Sequence, residues 1–273
     1  MVADQDEAPK VAVRCKSSHP ERAAYAAALA RTLGLPFAGD VNGPYPLLLV
    51  VTDERLELLQ PGSTEGPAYC DLTGGAFGYR RSQPLRRELL ARAVGFKGKA
   101  LNIIDMTAGL GRDAAVLALL GCHVAAIERH PVVFALLEDG LRRAREADTT
   151  STLTERLTLI RADACDYLDE LAGVALPDVI YLDPMFPERT QSALAKKEMR
   201  LLSRLLGREE DAGRLLDAAL RSGCHRVVVK RPLHAPHLAT SFVRVPPLEF
   251  RGRSARFDAY FSHTNARTAG PLS

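Results

Sequence analysis

Short apolar runs alternate with longer mixed stretches through the second part of the chain. Residues 101–104, His123–Ile127, Leu157–Ile160, Val179–Leu182 and 226–229 are brief and mostly aliphatic, the pattern of strands buried on both faces of a parallel sheet. Helices are expected between them: one over 113–120 stopped by Gly121, one opened by Pro131, a favoured first helical residue, and two at 193–206 and 209–221. Two further strands are expected at 242–245 and 256–261. This alternation predicts a largely parallel sheet with helices on both faces. Earlier in the chain the apolar runs at 11–13, Leu47–Val51 and Leu56–Leu59 are separated by Gly43-Pro-Tyr-Pro46, Pro61-Gly62 and Gly74-Gly75. Together with helices expected at Pro20–Leu33, ended by Gly34, and at 84–94, they read as a small α+β unit. The organisation expected is therefore an N-terminal α+β domain over 1–83 and an α/β domain over 84–273.

Ligands of such a sheet bind beyond the carboxyl ends of the strands, so the residues after each strand deserve close reading. The first is followed by Asp105-Met-Thr-Ala-Gly-Leu-Gly-Arg-Asp113. Gly109 and Gly111 permit a sharp turn and close backbone approach to a ligand. Asp105 at this turn would repel a pyrophosphate but suits a cationic amine or sulfonium, as in S-adenosylmethionine. Arg112 and Asp113 open the next helix, where one can meet a carboxylate and the other cap exposed amides. Glu128-Arg129 follows the second strand, and an acid there can accept both hydroxyls of a ribose. Ala162-Asp163-Ala164 follows the third; Asp163 there can reach an adenine edge or cap a helix. The fourth strand ends in Asp183-Pro-Met-Phe186.

That last segment resembles the Asp/Asn-Pro-Pro-Tyr/Phe motif of methyltransferases acting on exocyclic amines of bases, with Met185 replacing the second Pro. An aryl amine gives its lone pair to the ring and is a poor nucleophile. The Asp183 carboxylate and the Pro184 carbonyl can accept both amine hydrogens, favouring a more tetrahedral nitrogen. Phe186 can stack on the base and hold it in line.

Composition narrows the class. Hydrophobic residues are 47 % and charged residues 25 % of the 273, ordinary for a globular chain with a substantial core. No apolar run approaches the roughly 20 residues that span a bilayer, and the acidic start of the chain lacks a signal-peptide core, so a cytoplasmic protein is expected with no membrane association. The five scattered cysteines read as small core residues, and neither they nor the seven histidines show metal-ligand spacing. Net charge is only +3, but residues 80–99 and 226–256 each carry seven Lys/Arg against one acid. Such local excess can steer a protein onto phosphates.

Taken together, Thr107-Ala-Gly-Leu-Gly-Arg-Asp113, Glu128-Arg-His-Pro131, Tyr181-Leu-Asp-Pro-Met-Phe-Pro187 and Lys196-Lys-Glu-Met-Arg200 are similar to the bacterial RsmJ family. The similarity extends to 52–58, 74–81 and Val227-Val-Val-Lys-Arg-Pro232, covering about 45–261. It implies a Rossmann-like class I S-adenosylmethionine-dependent methyltransferase sheet and methylation of a guanine N2 amine in 16S ribosomal RNA or the 30S subunit. It also implies cofactor contacts at Arg112, Asp113, Glu128, Arg129, Asp163, Ala164 and Asp183. Met185 is shared with that family. On this reading Lys196, Arg200 and Arg204, on one helix face, and Arg80, Arg81, Arg86 and Arg87 can grip RNA phosphates. Other readings are methylation of an adenine amine or a protein glutamine, a non-catalytic RNA-binding or ribosome-assembly module, and a nicotinamide-dependent reductase, which Asp105 disfavours.

Overall fold

The computed structural model describes residues 10–38, 45–147, 151–171, 176–184, 193–207, 211–240, 242 and 247–262. Near the N-terminus, β1 (Val11–Cys15), β2 (Leu47–Val51) and β3 (Leu56–Leu59) form a three-stranded sheet, β2 parallel to β1 and antiparallel to β3. α1 (Pro20–Leu33) connects the first two and stops at Gly34, whose φ of 64° is left-handed. α2 (Gly75–Ser82), a 3-10 turn at Leu85–Arg87 and α3 (Leu89–Ala93) lead to the larger sheet. Its elements are β4 (Asn102–Asp105), α4 (Arg112–Leu119), β5 (His123–Ile127), α5 (Pro131–Glu146), α6 (Ser151–Arg156), β6 (Leu157–Ile160), α7 (Ala164–Glu170) and β7 (Val179–Leu182). They continue with α8 (Ala193–Leu206), α9 (Ala212–Arg221), β8 (Arg226–Pro232), β9 (Leu248–Arg251) and β10 (Ala255–Phe261).

The larger sheet has the order β6-β5-β4-β7-β8-β10-β9. The five strands from β6 to β8 are parallel; β10 runs antiparallel to β8, and β9 antiparallel to β10. The chain winds outward from β4 to β6 and then returns to place β7 on the other side of β4. That reversal opens a crevice at the carboxyl ends of β4 and β7.

Four departures from the expected elements have local reasons. The helix expected at 84–94 is broken at Glu88, whose ψ of 148° is extended while its carboxylate receives Arg80. β8 runs on to Pro232 because β10 pairs along its whole length, from Ala255 opposite Pro232 to Phe261 opposite Arg226. The strand expected at 242–245 falls mostly outside the described residues; Leu248–Arg251 pairs with β10 instead. Gly74-Gly75, read as loop punctuation, opens α2, with Gly74 as its N-cap. Of the cysteines, Cys70, Cys122, Cys165 and Cys224 are buried and Cys15 is half-buried. No helix among the described residues is long and apolar enough to cross a membrane.

A single apolar cluster includes Leu56, Leu58 and Phe77 of the first part with Leu136, Leu137 and Tyr181 of the second. The seam runs along α5. Asp139 is 4 % exposed and accepts the Leu56 backbone N–H at 3.1 Å while bonding Arg142 and Arg143 of its own helix. One turn face is stripped to Gly140, where a Cβ would lie 2.3 Å from the Cys70 sulfur and 3.2 Å from the Cys70 carbonyl.

Gly140 thus provides a test of the seam. In mid-helix, Gly→Ala ordinarily stabilises by about 0.5–1 kcal/mol. Here the methyl has no room, and overpacking of about 1–3 kcal/mol should win. Gly140→Ala is expected to lower the thermal midpoint, whereas Gly213→Ala, whose Cβ would meet only the Ala239 carbonyl at 3.8 Å, should leave it level or raise it. A midpoint for Gly140→Ala at or above wild type would refute the tight seam.

Candidate active site

The turn after β4 is built by hydrogen bonds that its sequence encodes. Asp105 accepts the Thr107 N–H at 3.0 Å, and Thr107 Oγ1 in turn accepts the backbone N–H of Asp183 at 2.6 Å. The tips of β4 and β7 are therefore tied through one threonine. Gly109 and Gly111 have φ of 54° and 72°, the left-handed region that a side chain disfavours. A Cβ on Gly111 would also lie 2.5 Å from Leu137 Cδ1, so this glycine serves packing against α5. The Gly109 N–H donates to Glu128 Oε2 at 3.0 Å, and the His130 N–H donates to Oε1 at 2.7 Å. Glu128 thereby pins the first turn to the second. An ionised carboxylate has about four acceptor sites, of which these amides use two.

The crevice is lined by Met106, Thr107 and Gly109 from the first strand end, Glu128 and Arg129 from the second, Ala162 and Asp163 from the third, and Asp183 from the fourth. Its apolar wall includes Ile127, Val133, and Leu202, Leu206 and Leu215 of α8 and α9. Asp163 caps α7 by accepting the Cys165 N–H at 2.8 Å and pairs with Arg214 at 2.9 Å. Ala164, the first residue of α7, is buried beneath it. Arg129 is held by Asp211, and Arg112 by Glu198 of α8 at 2.5 Å.

Behind the crevice lies a partly buried ionic chain centred on Asp113. Lys230 sits one residue beyond Val229, which pairs with Leu182, so it stands beside Asp183 at the end of the neighbouring strand. Its Nζ donates to Asp183 Oδ2 at 2.7 Å and to Asp113 Oδ2 at 2.8 Å. Asp113 also accepts from Tyr181 Oη at 2.7 Å and from Arg80 Nη1 at 2.7 Å, and Arg80 makes further bonds to Glu88. Burial would raise the Asp113 carboxyl, but Lys230 and Arg80 more than reverse this and hold it well below the usual carboxylate range. Burial would lower the Lys230 ammonium; Asp113 and Asp183 hold it above the ordinary lysine range. The Asp183 carboxyl is raised by burial, with Lys230 opposing the rise. Asp105, 2 % exposed, is pushed up to about 8, first by burial and then by the charges of Asp113, Asp183 and Glu128.

Of the residues singled out from sequence, Gly109, Glu128, Arg129, Asp163 and Asp183 share the crevice. Asp105, Gly111, Asp113, Ala164 and Pro184 pack beside or beneath it, and Arg112 turns toward α8. Phe186 and the Lys196 side chain lie outside the described residues. Arg80, grouped by charge with surface arginines, is committed to Glu88 and Asp113, and Arg200 pairs with Glu65. Lys230, Thr107, Tyr181 and the role of Arg80 were not foreseen. Lys230 directly follows the strand expected at 226–229, so the strand-end rule applied there reaches it, although the observed β8 continues through it to Pro232. His237, Glu249 and Asp258 bring ligand-type atoms within 4.8 Å of one another, which their separation along the chain hid. Their carboxylates already take the guanidinium groups of Arg251 and Arg256.

The donor set fits an adenosyl sulfonium: acids for a ribose and for cationic groups, and an aliphatic wall for an adenine. It does not fit a pyrophosphate, which would face Glu128, Asp163 and Asp183. Comparison with known proteins agrees. The SAM-dependent methyltransferase family model matches residues 29–262. Proteins named ribosomal RNA small subunit methyltransferase J from Nitrosococcus oceani and Coxiella burnetii are 48 % and 46 % identical. They align over 86 % and 89 % of this chain and 92 % and 94 % of their own. The crystal structure of a SAM-dependent methyltransferase from Neisseria gonorrhoeae superposes with a TM-score of 0.71 at 30 % identity, covering 96 % of this chain and all of that one. With its Rossmann-like class I sheet, the chain belongs to the ribosomal RNA small subunit methyltransferase J family of S-adenosylmethionine-dependent enzymes.

Proposed function

We propose that this enzyme methylates the exocyclic N2 amine of a guanosine in 16S ribosomal RNA of the small subunit. The observation that carries this reading is the Asp183 carboxylate, at the strand tip beside the Gly109 turn, opening into the crevice that holds Glu128 and Asp163. The names of the relatives favour ribosomal RNA as the amine's source, and a cytoplasmic site of action follows from that substrate.

S-adenosylmethionine, when bound, supplies an electrophilic methyl on sulfur. Glu128 binds its ribose, Asp163 with Ala164 meets the adenine, and Asp105, Gly109, Gly111, Arg112, Asp113 and Arg129 form and brace the surrounding turns. Asp183 Oδ2 is taken by Lys230, and Oδ1 has no hydrogen-bond partner among the described residues. Oδ1 and the Pro184 carbonyl accept the hydrogens of the target amine, with Phe186 stacking on its base. Lys230 positions: it opposes the burial-driven rise of the Asp183 carboxyl and fixes the carboxylate plane. Much of the catalysis is thus orientation.

The direct test uses labelled S-adenosylmethionine with 16S RNA or 30S particles lacking the modification. Label is expected in RNA, as N2-methylguanosine after nucleoside digestion. Label in adenosine or in protein would sink the assignment.

The residue roles separate binding from transfer. Charge-assisted hydrogen bonds contribute about 1.5–3 kcal/mol each, so Glu128→Ala should weaken S-adenosylhomocysteine binding about tenfold or more. Asp183→Ala should leave that affinity nearly unchanged and slow transfer on the order of 100-fold. Lys230→Met should lower kcat and shift its pH profile, with Lys230→Arg partly restoring both. Unaltered kcat in Lys230→Met would exclude the positioning role.

Asp105 generates a pH prediction. Its folded value of about 8 lies above the ordinary carboxyl value of 3.8, so folding takes up a proton between them. Its stabilising contribution is full below that lower value and is lost as pH rises toward 8. Asp105→Asn should remove up to about 1.4 kcal/mol per pH unit of this decline. Urea melts of wild type and variant from about pH 5 to 9, without cofactor, should diverge as pH rises; parallel curves would contradict the raised carboxyl.

A further inference from the structure

Two basic stretches far apart in the chain, 80–99 and 226–256, meet at one edge of the larger sheet. β8 runs parallel to β7, so Pro232 and Asp183 lie at the same carboxyl edge. β10 returns antiparallel with Ala255 opposite Pro232, which puts the β9–β10 turn, residues 252–254, at that edge too. Leu89, the first residue of α3, packs on this turn: a Cβ on Gly252 would lie 2.7 Å from Leu89 Cδ1. The other end of α3 lies at the opposite edge, where Arg226 Nη1 donates to the Ala93 carbonyl at 3.1 Å. The direction of α3 therefore sorts the basic residues. Arg86 and Arg87, just before it, and Arg253 in the turn are exposed beside the active-site edge; Lys97 and Lys99 are exposed at the far edge.

The acids nearby are already used. Glu88 receives Arg80, and Glu249 receives Arg251 and His237. Arg86, Arg87 and Arg253 make no ion pair among the described residues; Arg86 lies 5.8 Å from the Phe96 ring centroid. Next to them, α2 is anchored through Arg80 to Asp113, which shares Lys230 with Asp183. Tyr79 adjoins that anchor and, at 72 %, is the most exposed large apolar side chain among the described residues. Unpaired guanidinium groups interleaved with a bare aromatic ring match a polyanion that carries flat bases.

We infer that Arg86, Arg87 and Arg253 grip the phosphodiester backbone of RNA beside the active site, and that Tyr79 stacks on one of its bases. This rests on the RNA reading above and adds the surface that delivers the strand. The face selects unpaired RNA, because Tyr79 can stack only on a base with a free face. Its affinity falls with salt in proportion to the phosphates neutralised.

The test compares two charge reversals of equal size in the full chain. Arg86→Glu/Arg87→Glu should raise the Kd for a mixed-sequence single-stranded RNA at least tenfold and flatten the salt dependence, and Arg253→Glu should act in the same direction. Lys97→Glu/Lys99→Glu should change the Kd far less. Tyr79→Ala should raise the Kd about tenfold, and Tyr79→Phe should restore it. S-adenosylhomocysteine affinity and thermal midpoint verify that each variant is folded. Equal effects from the two reversals would overturn the inference, as would loss of binding to 30S particles with RNA affinity retained, which assigns the face to a ribosomal protein. Direct RNA binding needs no methyl transfer. Absence of product with the predicted binding losses would therefore defeat the proposed reaction alone, and product formation with no binding losses would defeat this surface alone.

Discussion

One ammonium group organises the active-site end of this molecule. Lys230 stands between Asp113 and Asp183, two carboxylates that burial would otherwise drive toward the neutral form. Removing a charge from water costs several kcal/mol, and a buried pair repays this only when geometry and further hydrogen bonds are favourable. The extra bonds are present here: Tyr181 and Arg80 complete Asp113, and Thr107 holds the Asp183 backbone. Among the described residues one oxygen of Asp183 has no partner, and the cluster holds that acceptor in a fixed orientation at the crevice.

The same cluster explains why the N-terminal unit cannot be treated as an appendage. Arg80 comes from α2, outside the larger sheet, yet supplies part of the charge that keeps Asp113 ionised. The apolar cluster shared across α5 and the bond from Leu56 to Asp139 reinforce that dependence. Packing and electrostatics thus join the two parts at different points, one along α5 and one beside the crevice.

The fold was legible where a short aliphatic run had firm punctuation. His123–Ile127, Leu157–Ile160 and Val179–Leu182 coincide with β5, β6 and β7. The last strand pair was less so, because the extent of β8 and the position of β9 depend on pairing with β10, a non-local choice. At the site, glycines and strand-end acids carried their meaning in local order. Arg80 did not, since its partner Asp113 lies far along the chain and a run of arginines looks like surface from sequence alone. Lys230 fell just past the expected strand end, where the strand-end rule applies to it, but its partner Asp113 lies far along the chain, so its bridging role could not be read locally.

The contact between Cys70 and Gly140 bears on the redox chemistry of the enzyme. Burial pushes the thiol up to about 12, and its sulfur donates to the Leu110 carbonyl at 3.3 Å. Oxidants attack the thiolate, which hardly forms there, and a sulfenic oxygen would need the space that only a missing Cβ now provides. The sulfur closing the seam is thus both unreactive and irreplaceable in size. Oxygen added to that sulfur would wedge Cys70 away from α5, at a seam separate from the crevice.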